Sequence, residues 1–460
     1  MKSDKSFLRA AVLLGALAFV GAAQAEVLLQ WFESDWDEMY QKLPKVAAIG
    51  YDNFWVPPPT KGPVGTSVKW ANVGYNLYDR FDLGDVPQRG SLATRYGTRG
   101  SLRHMVDSAH GLDIKIIPDI VMNHYGNGPD FREYPGTTAT DFHVQWQEGY
   151  VNTLNFKRAP RMNWWYHHEG YGATMWSDLA NLADLRTEDH PLNGDRYRFT
   201  GQKTDSDGQS FNFVSGTSYL RHVGQYDRYP YYPSGYTNEN VAEMLYRWIA
   251  WLGDAVDYDG LRLDAGKHTP YEFFGWRGSG FLHEAQWSYK TRRGYEFGGN
   301  PTDLFLNDRD RTNAFIFAEI LSPWTEIEYW YRQGTGNPMR FLDYQMKKTA
   351  DGAFNGNLSS LGAYGSDFGP ATGVTYVWGH DEALNASKAN LAYAYILCHV
   401  GVPMVYYTGN NITWDDYGRT AYPEARTWMI PGYDDHVLGE GGSGAIPNLV
   451  WINQNFARGS

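Results

Sequence analysis

The stretch "DYDGLRLDAGKH", residues 257–268, places two charges inside a short apolar alternation. On a strand, successive side chains point to opposite faces. Leu261 and Leu263 therefore share one face, and Arg262 and Asp264 share the other. The stretch follows "ENVAEMLYRWIAWLGDAV" (239–256), a strongly apolar helical segment, so the strand reads as internal. A buried guanidinium and carboxylate are costly unless they are paired or used. Lys267 and His268 follow at once and add two more polar groups at the same end.

Seven further runs of β-branched and aromatic residues resemble that strand. They are "VLLQWF" (27–32), "DNFWVP" (52–57), "DIKIIPDIVMNH" (113–124), "AFIFAEI" (314–320), "RFLDYQ" (340–345), "VTYVWGHD" (374–381) and "VPMVYY" (402–407). Helical material lies between most of them, for example "SLRHMVDSAH" (101–110), with Ser101 as its expected N-cap and Gly111 as its stop. Repeated β-α units predict an α/β chain with a parallel sheet, and eight of them predict a closed (β/α)8 TIM barrel. A doubly wound open sheet is the alternative, weakened because no Gly-rich dinucleotide fingerprint follows an early strand. The rhythm breaks between Tyr125 and about residue 235, where Gly, Pro, Asn, Asp and Tyr dominate. A loop of that length without structure is improbable in a compact domain. The expected organisation is thus a barrel in two parts, 26–124 and 236–460, with a small inserted domain, 125–235, after the third strand.

The chain has 460 residues, a net charge of −12 and no basic clusters, which argues against a nucleic-acid partner. Aromatic residues make up 16 %, including 18 Trp and 34 Tyr, a supply of flat faces with polar tips that suits sugars as well as core packing. The N-terminus combines Lys2, Lys5 and Arg9, an apolar run Ala10 to Val20, and Ala23-Gln24-Ala25. This is the pattern of a secretory signal peptide over residues 1–25, cleaved after Ala25, and the run is too short to span a bilayer. Secretion to the periplasm or medium is expected, as a monomer with no membrane segment left after cleavage. Only Cys398 is present, so no intramolecular disulfide forms.

Polar groups gather where barrel enzymes carry their chemistry, at the C-terminal ends of the strands. Asp119, Asn123 and His124 end the third run, Arg262 and Asp264 the fourth, Glu319 the fifth, and His380 and Asp381 the seventh. Two or three carboxylates around one point suit glycoside hydrolysis, which needs one ionised and one protonated carboxyl. Arg262 is expected to hold Asp264 ionised by its charge, and the apolar setting of Glu319 to keep that group protonated.

These runs carry a resemblance. "DIVMNH", "GLRLDAGKH", "FAEI" and "VWGHD", in this order, resemble the four signature regions of the α-amylase family of retaining α-glucan hydrolases. "LADLRTED" (182–189) resembles a further signature in that family's inserted domain, and "GYNLYDRFDLGDVPQRGSLATRYGTRGSL" (74–102) resembles a segment of its secreted bacterial members. The resemblance implies a polysaccharide or oligosaccharide substrate, starch or a related α-glucan. It implies that Asp264 is the nucleophile, Glu319 the general acid/base and Asp381 the group that stabilises the transition state through sugar hydroxyls. It further implies that Arg262 orients Asp264, that His124 and His380 bond the sugar in the cleaved subsite, that Tyr75 stacks on it, and that Lys267 and His268 line the leaving-group side. A Ca2+ site is also implied, with Asn123 and Asp184 as side-chain ligands and His268 as a carbonyl ligand. Oligosaccharide-forming or transglycosylating relatives share these motifs, and a binding protein with a dead site would lack one carboxylate of the trio, all of which are present.

Two departures stand out. The family usually has Asn before the His-Asp pair, where this chain has Gly379, with Glu382 following. The family also usually continues into an antiparallel β domain, which is expected to be absent after "IPNLVWINQNFARGS" (446–460), read as the final barrel helix.

Overall fold

The computed structural model describes residues 26–62, 73–87, 91–125, 142–144, 183–185, 198–200, 202–204, 210–212, 238–269, 271–274, 280–294, 313–320, 339–363, 373–381, 389–408, 437–439 and 444–456. Eight of its strands are those anticipated: β1 (Leu28–Phe32), β2 (Asn53–Val56), β3 (Lys115–Ile120), β4 (Gly260–Leu263), β5 (Phe315–Ala318), β6 (Arg340–Leu342), β7 (Gly373–Thr375) and β8 (Val402–Thr408). Each pairs in parallel with its neighbours, and β8 returns to β1, so the sheet closes into a barrel. The open-sheet alternative is excluded. Parallel strands are covered on both faces, which is why they read as unbroken apolar runs. Strands β1, β2, β4 and β5 are buried at every position.

Glycine at the foot of β4 is a steric requirement. A Cβ on Gly260 would lie 2.1 Å from the carbonyl oxygen of Phe315 on β5. That close approach is what lets the charged strand sit in register with its neighbour.

The covering helices follow from their caps and apolar faces. Helix α1 (Trp36–Ile49) starts where the Asp35 side chain accepts from the Glu38 amide, and stops at Gly50, φ 106°, in the left-handed region. Helix α2 (Arg99–His110) has its cap three residues before the expected one. Thr98 is the N-cap, and Ser101 is its partner in a reciprocal capping box. Both hydroxyls satisfy an otherwise open amide, so Ser101 alone was an incomplete reading. Gly111 does end the helix, with right-handed backbone. Helix α3 (Val241–Val256) leads into β4. The last helix, α4 (Ala445–Asn455), donates from Asn453 Nδ2 to the Leu397 carbonyl (2.7 Å) and from Gln454 Nε2 to the Gly50 carbonyl (2.8 Å). It thereby ties the end of the chain to the first βα unit.

Most of the expected inserted domain, 125–235, lies outside the described residues, and so does the signal segment 1–25. The pieces described are short and antiparallel: His124–Tyr125 and Phe142–Val144 both pair with Ala183–Leu185, and Arg198–Thr200 pairs with Asn238–Asn240. Among the described residues no helix is long and apolar enough to cross a membrane.

Candidate active site

Strand register assembles the charged groups. Arg262 on β4 lies beside Asp119 on β3 and Phe317 on β5, and Leu263 lies beside Ala318. The next residue on each strand is therefore Asp264 on one side and Glu319 on the other. Arg262 is 1 % exposed, and its guanidinium serves three acids at once. Its Nη1 donates to both oxygens of Asp119 (2.9 and 3.0 Å) and to Oδ1 of Asp264 (2.7 Å). Its Nη2 donates to Oε2 of Glu319 (2.6 Å). The face of the guanidinium packs over Trp55, 4.9 Å from the ring centroid.

The sequence led to the expectation that the charge of Arg262 holds Asp264 ionised. The structure corrects this, because the positive charge is divided among three carboxyls. Burial pushes the Asp264 carboxyl well above the usual carboxylate range; Arg262 opposes that push, and the charges of Glu319 and Asp119 reinforce it. Burial likewise raises Asp119, against Arg262 and the Tyr75 hydroxyl. Asp119 and Asp264 are therefore two buried carboxyls that share one guanidinium with the less buried Glu319. Nor is Glu319 isolated in apolar surroundings as "FIFAEI" suggested. Its Oε2 also accepts from the Ala265 amide (3.2 Å). Ala265 holds φ 51°, in the left-handed region that a non-glycine residue rarely adopts, at the turn directly after Asp264.

Asp119 is the residue that the sequence placed at a strand end without giving it a role. Besides Arg262, it accepts from the Tyr75 hydroxyl (2.7 Å) and the Trp55 indole (3.1 Å). The available signal was its position on β3 at the level of Arg262, which only the register reveals.

His380 and Asp381 stand across the mouth. His380 Nε2 lies 2.9 Å from Oδ2 of Asp381 and 3.1 Å from the Tyr75 hydroxyl. Desolvation resists ionisation of Asp381, but the adjacent His380 holds its carboxyl below the usual range. The Tyr75 ring stacks on His380, with centroids 5.5 Å apart and planes 4° apart. A pocket opens here, lined in part by Trp55, Arg262, Glu319, Gly379, His380 and Asp381. Asp264, Glu319, Asp381, Arg262, His380 and Tyr75 are thus brought together as expected.

His124 behaves differently from a free sugar ligand. It is buried, and its Nε2 donates to the Tyr75 carbonyl at 3.0 Å. Burial and the nearby Arg80 charge push its pKa down to about 3 despite that bond, so the ring is neutral. Lys267 and His268 occupy the short turn Gly266–His268 that follows Asp264, with His268 buried and Lys267 partly exposed.

The expected calcium ligands converge through the backbone. Thr269, next to His268, contacts Asn123 with its Oγ1 3.4 Å from Oδ1. Strand pairing sets the backbone of Asp184 opposite His124. The side chain of Asp184 lies outside the described residues. The fully buried Asn123 amide oxygen, whose contact with Thr269 is long, is one donor suited to a hard cation. Among the described residues no group of three or more His, Cys, Asp or Glu gathers to hold a metal.

The known proteins that resemble this chain fit this geometry. A family model described as the alpha amylase catalytic domain matches residues 19–207. The α-amylase of Bacillus licheniformis is 30 % identical over 300 residues, 59 % of this chain and 52 % of that protein. The glucan 1,4-alpha-maltohexaosidase of Bacillus sp. (strain 707) is 28 % identical over 270 residues, 54 % of this chain and 46 % of that protein. The chain thus spans about half the length of these curated relatives. The crystal structure of α-amylase from Geobacillus thermoleovorans, complexed with acarbose, shares the fold at a TM-score of 0.51 and 15 % identity, covering 94 % of this chain and 78 % of that one. The family model, which matches less than half of the chain, and these partial likenesses make the chain similar to the α-amylase family, and the solved structures share its barrel fold.

Proposed function

We propose that this protein is a secreted, retaining glycoside hydrolase that cleaves internal α-1,4 bonds of starch and related α-glucans. One observation carries the reading. Asp264 and Glu319, from adjacent strands, are held by one guanidinium at the barrel mouth, and the His380–Asp381 pair lines the same pocket.

In this reading Asp264 attacks the anomeric carbon while Glu319 gives its proton to the departing glycosidic oxygen. A covalent glycosyl ester forms on Asp264. Water then attacks that carbon, Glu319 takes the proton, and the ester bond breaks. The reactive form has Glu319 protonated and Asp264 ionised. Arg262 remains bonded to both groups throughout and stabilises the charge that moves between them. Two carboxyls bound to one guanidinium suit a retaining pair, which stands about 5 Å apart, better than an inverting pair with a water between. Asp381, backed by His380, accepts sugar hydroxyls. The relative named a maltohexaosidase supports a second reading, an oligosaccharide-forming enzyme with the same chemistry.

Ca2+ is part of the proposal. Asn123, Asp184 and the His268 carbonyl would hold it, and it would supply a bridge between the segment after β3 and the turn after Asp264. Export rests on the N-terminal pattern of residues 1–25.

NMR of a fresh digest of maltoheptaose should show the α anomer first, and early β anomer would contradict retention. Asp264→Asn should abolish turnover by roughly 10³-fold or more in kcat. The same substitution should raise the melting temperature at neutral pH by about 1–3 °C, because it removes a buried charge that the fold holds poorly. A carboxyl raised in the folded state weakens that state as pH rises through its pKa, so this gain should shrink in acidic buffer; a gain that grows there would contradict the shift. A Ca2+ chelator should lower both melting temperature and activity, and unchanged values of both would remove calcium from the account.

A further inference from the structure

Gly379 precedes the His380–Asp381 pair, and neither strain nor crowding explains a glycine there. Its backbone is outside the left-handed region. A Cβ at this position would meet Gln30 Oε1 at 3.5 Å, Met404 Cε at 3.9 Å and Tyr376 Cδ2 at 4.0 Å, all ordinary contacts. The backbone of residue 379 would thus accept a Cβ. The space beside it holds the end of a side chain from another strand.

That side chain is Gln30, the one amide on β1, whose sequence is otherwise LLQWF. It is fully buried. Its Nε2 donates to Nδ1 of His380 at 2.7 Å, across 350 residues of chain. Its Oε1 is buried and accepts no hydrogen bond among the described residues. Half of a buried amide left without a partner is a net cost. A leucine would fill this barrel position without that cost, so the amide is there for the bond that it does make.

The bond has a chemical consequence. A donor at Nδ1 requires the lone pair there, which places the ring proton on Nε2. Nε2 is the atom that faces Asp381 Oδ2 and the Tyr75 hydroxyl. The ring cannot easily turn, because Phe32 and Trp55 pack against it at 4.7 and 5.6 Å between centroids, and Tyr75 stacks on it. We propose that Gln30 is the positioning residue of the His380–Asp381 pair: its amide, in the room that Gly379 leaves, fixes the tautomer and orientation of His380 and through it the carboxylate of Asp381. This rests on the reading of Asp381 as a group that acts on the bound sugar.

The test begins with the wild-type chain on maltoheptaose. If it shows no hydrolysis, the functional reading fails, whatever Gln30 does. Given an active wild type, Gln30→Met keeps length and volume but removes the donor, and Gln30→Asn keeps the amide but is one methylene too short to reach. Both should lower kcat about tenfold or more while KM moves less than about threefold, the mark of an interaction used in the transition state. Adding Gly379→Asn to Gln30→Met should restore part of the lost kcat by supplying an amide from the neighbouring position. Melting curves of the variants should stay close to wild type. Wild-type kcat in either Gln30 variant would overturn the proposal. So would a loss that tracks the melting temperature and is not relieved by Gly379→Asn, because that pattern belongs to a merely structural residue.

Discussion

One guanidinium shared among three carboxyls is the constraint on which the site depends. Arg262 is buried at the mouth of the barrel and bonds Asp119, Asp264 and Glu319 together. Removing such an ion from water costs several kcal/mol, which only close, well-aligned partners offset. The same arrangement sets one positive charge against three carboxyls, and burial raises those of Asp119 and Asp264. Structure and chemistry therefore draw on one interaction. The geometry that keeps Arg262 satisfied is also the geometry that sets the Asp264 carboxyl beside that of Glu319.

The rest of the architecture serves that contact. Gly260 lets β4 approach β5 closely enough to put Arg262 and Glu319 in reach. The left-handed turn at Ala265 aims its amide at Glu319 and starts the turn that carries Lys267 and His268. Asp119 links the cluster to Tyr75 and Trp55, and Tyr75 links it to His380. The two sides of the mouth are thus one hydrogen-bonded system.

The barrel was legible in the sequence because buried parallel strands are unbroken apolar runs, and their order needs no long-range information. The members of the site were legible for the same reason: a charge inside such a run has few structural excuses, and Asp264, Glu319, Asp381, Arg262 and His380 all break one. What remained hidden was non-local. How many acids Arg262 serves depends on the register of β3, β4 and β5, which no single run encodes, and so the rise of Asp264 ran against the expected pairing. The role of Asp119 was missed for that reason too. Gln30 is a single polar residue in "LLQWF" and carries no signal until β1 closes the barrel next to β8. The cap of α2 was misplaced by three residues because Thr98 and Ser101 are both competent and the box uses both.

The claim at the centre of this account is that Asp264 forms a covalent bond to the sugar. It is tested most directly by trapping. An activated, fluorine-substituted maltosyl donor slows breakdown of the intermediate, and mass spectrometry of the digested protein then locates the adduct. The account predicts one maltosyl unit on the peptide that contains Asp264. An adduct on Glu319 or Asp381, or turnover of the donor with inversion and no adduct, would contradict it.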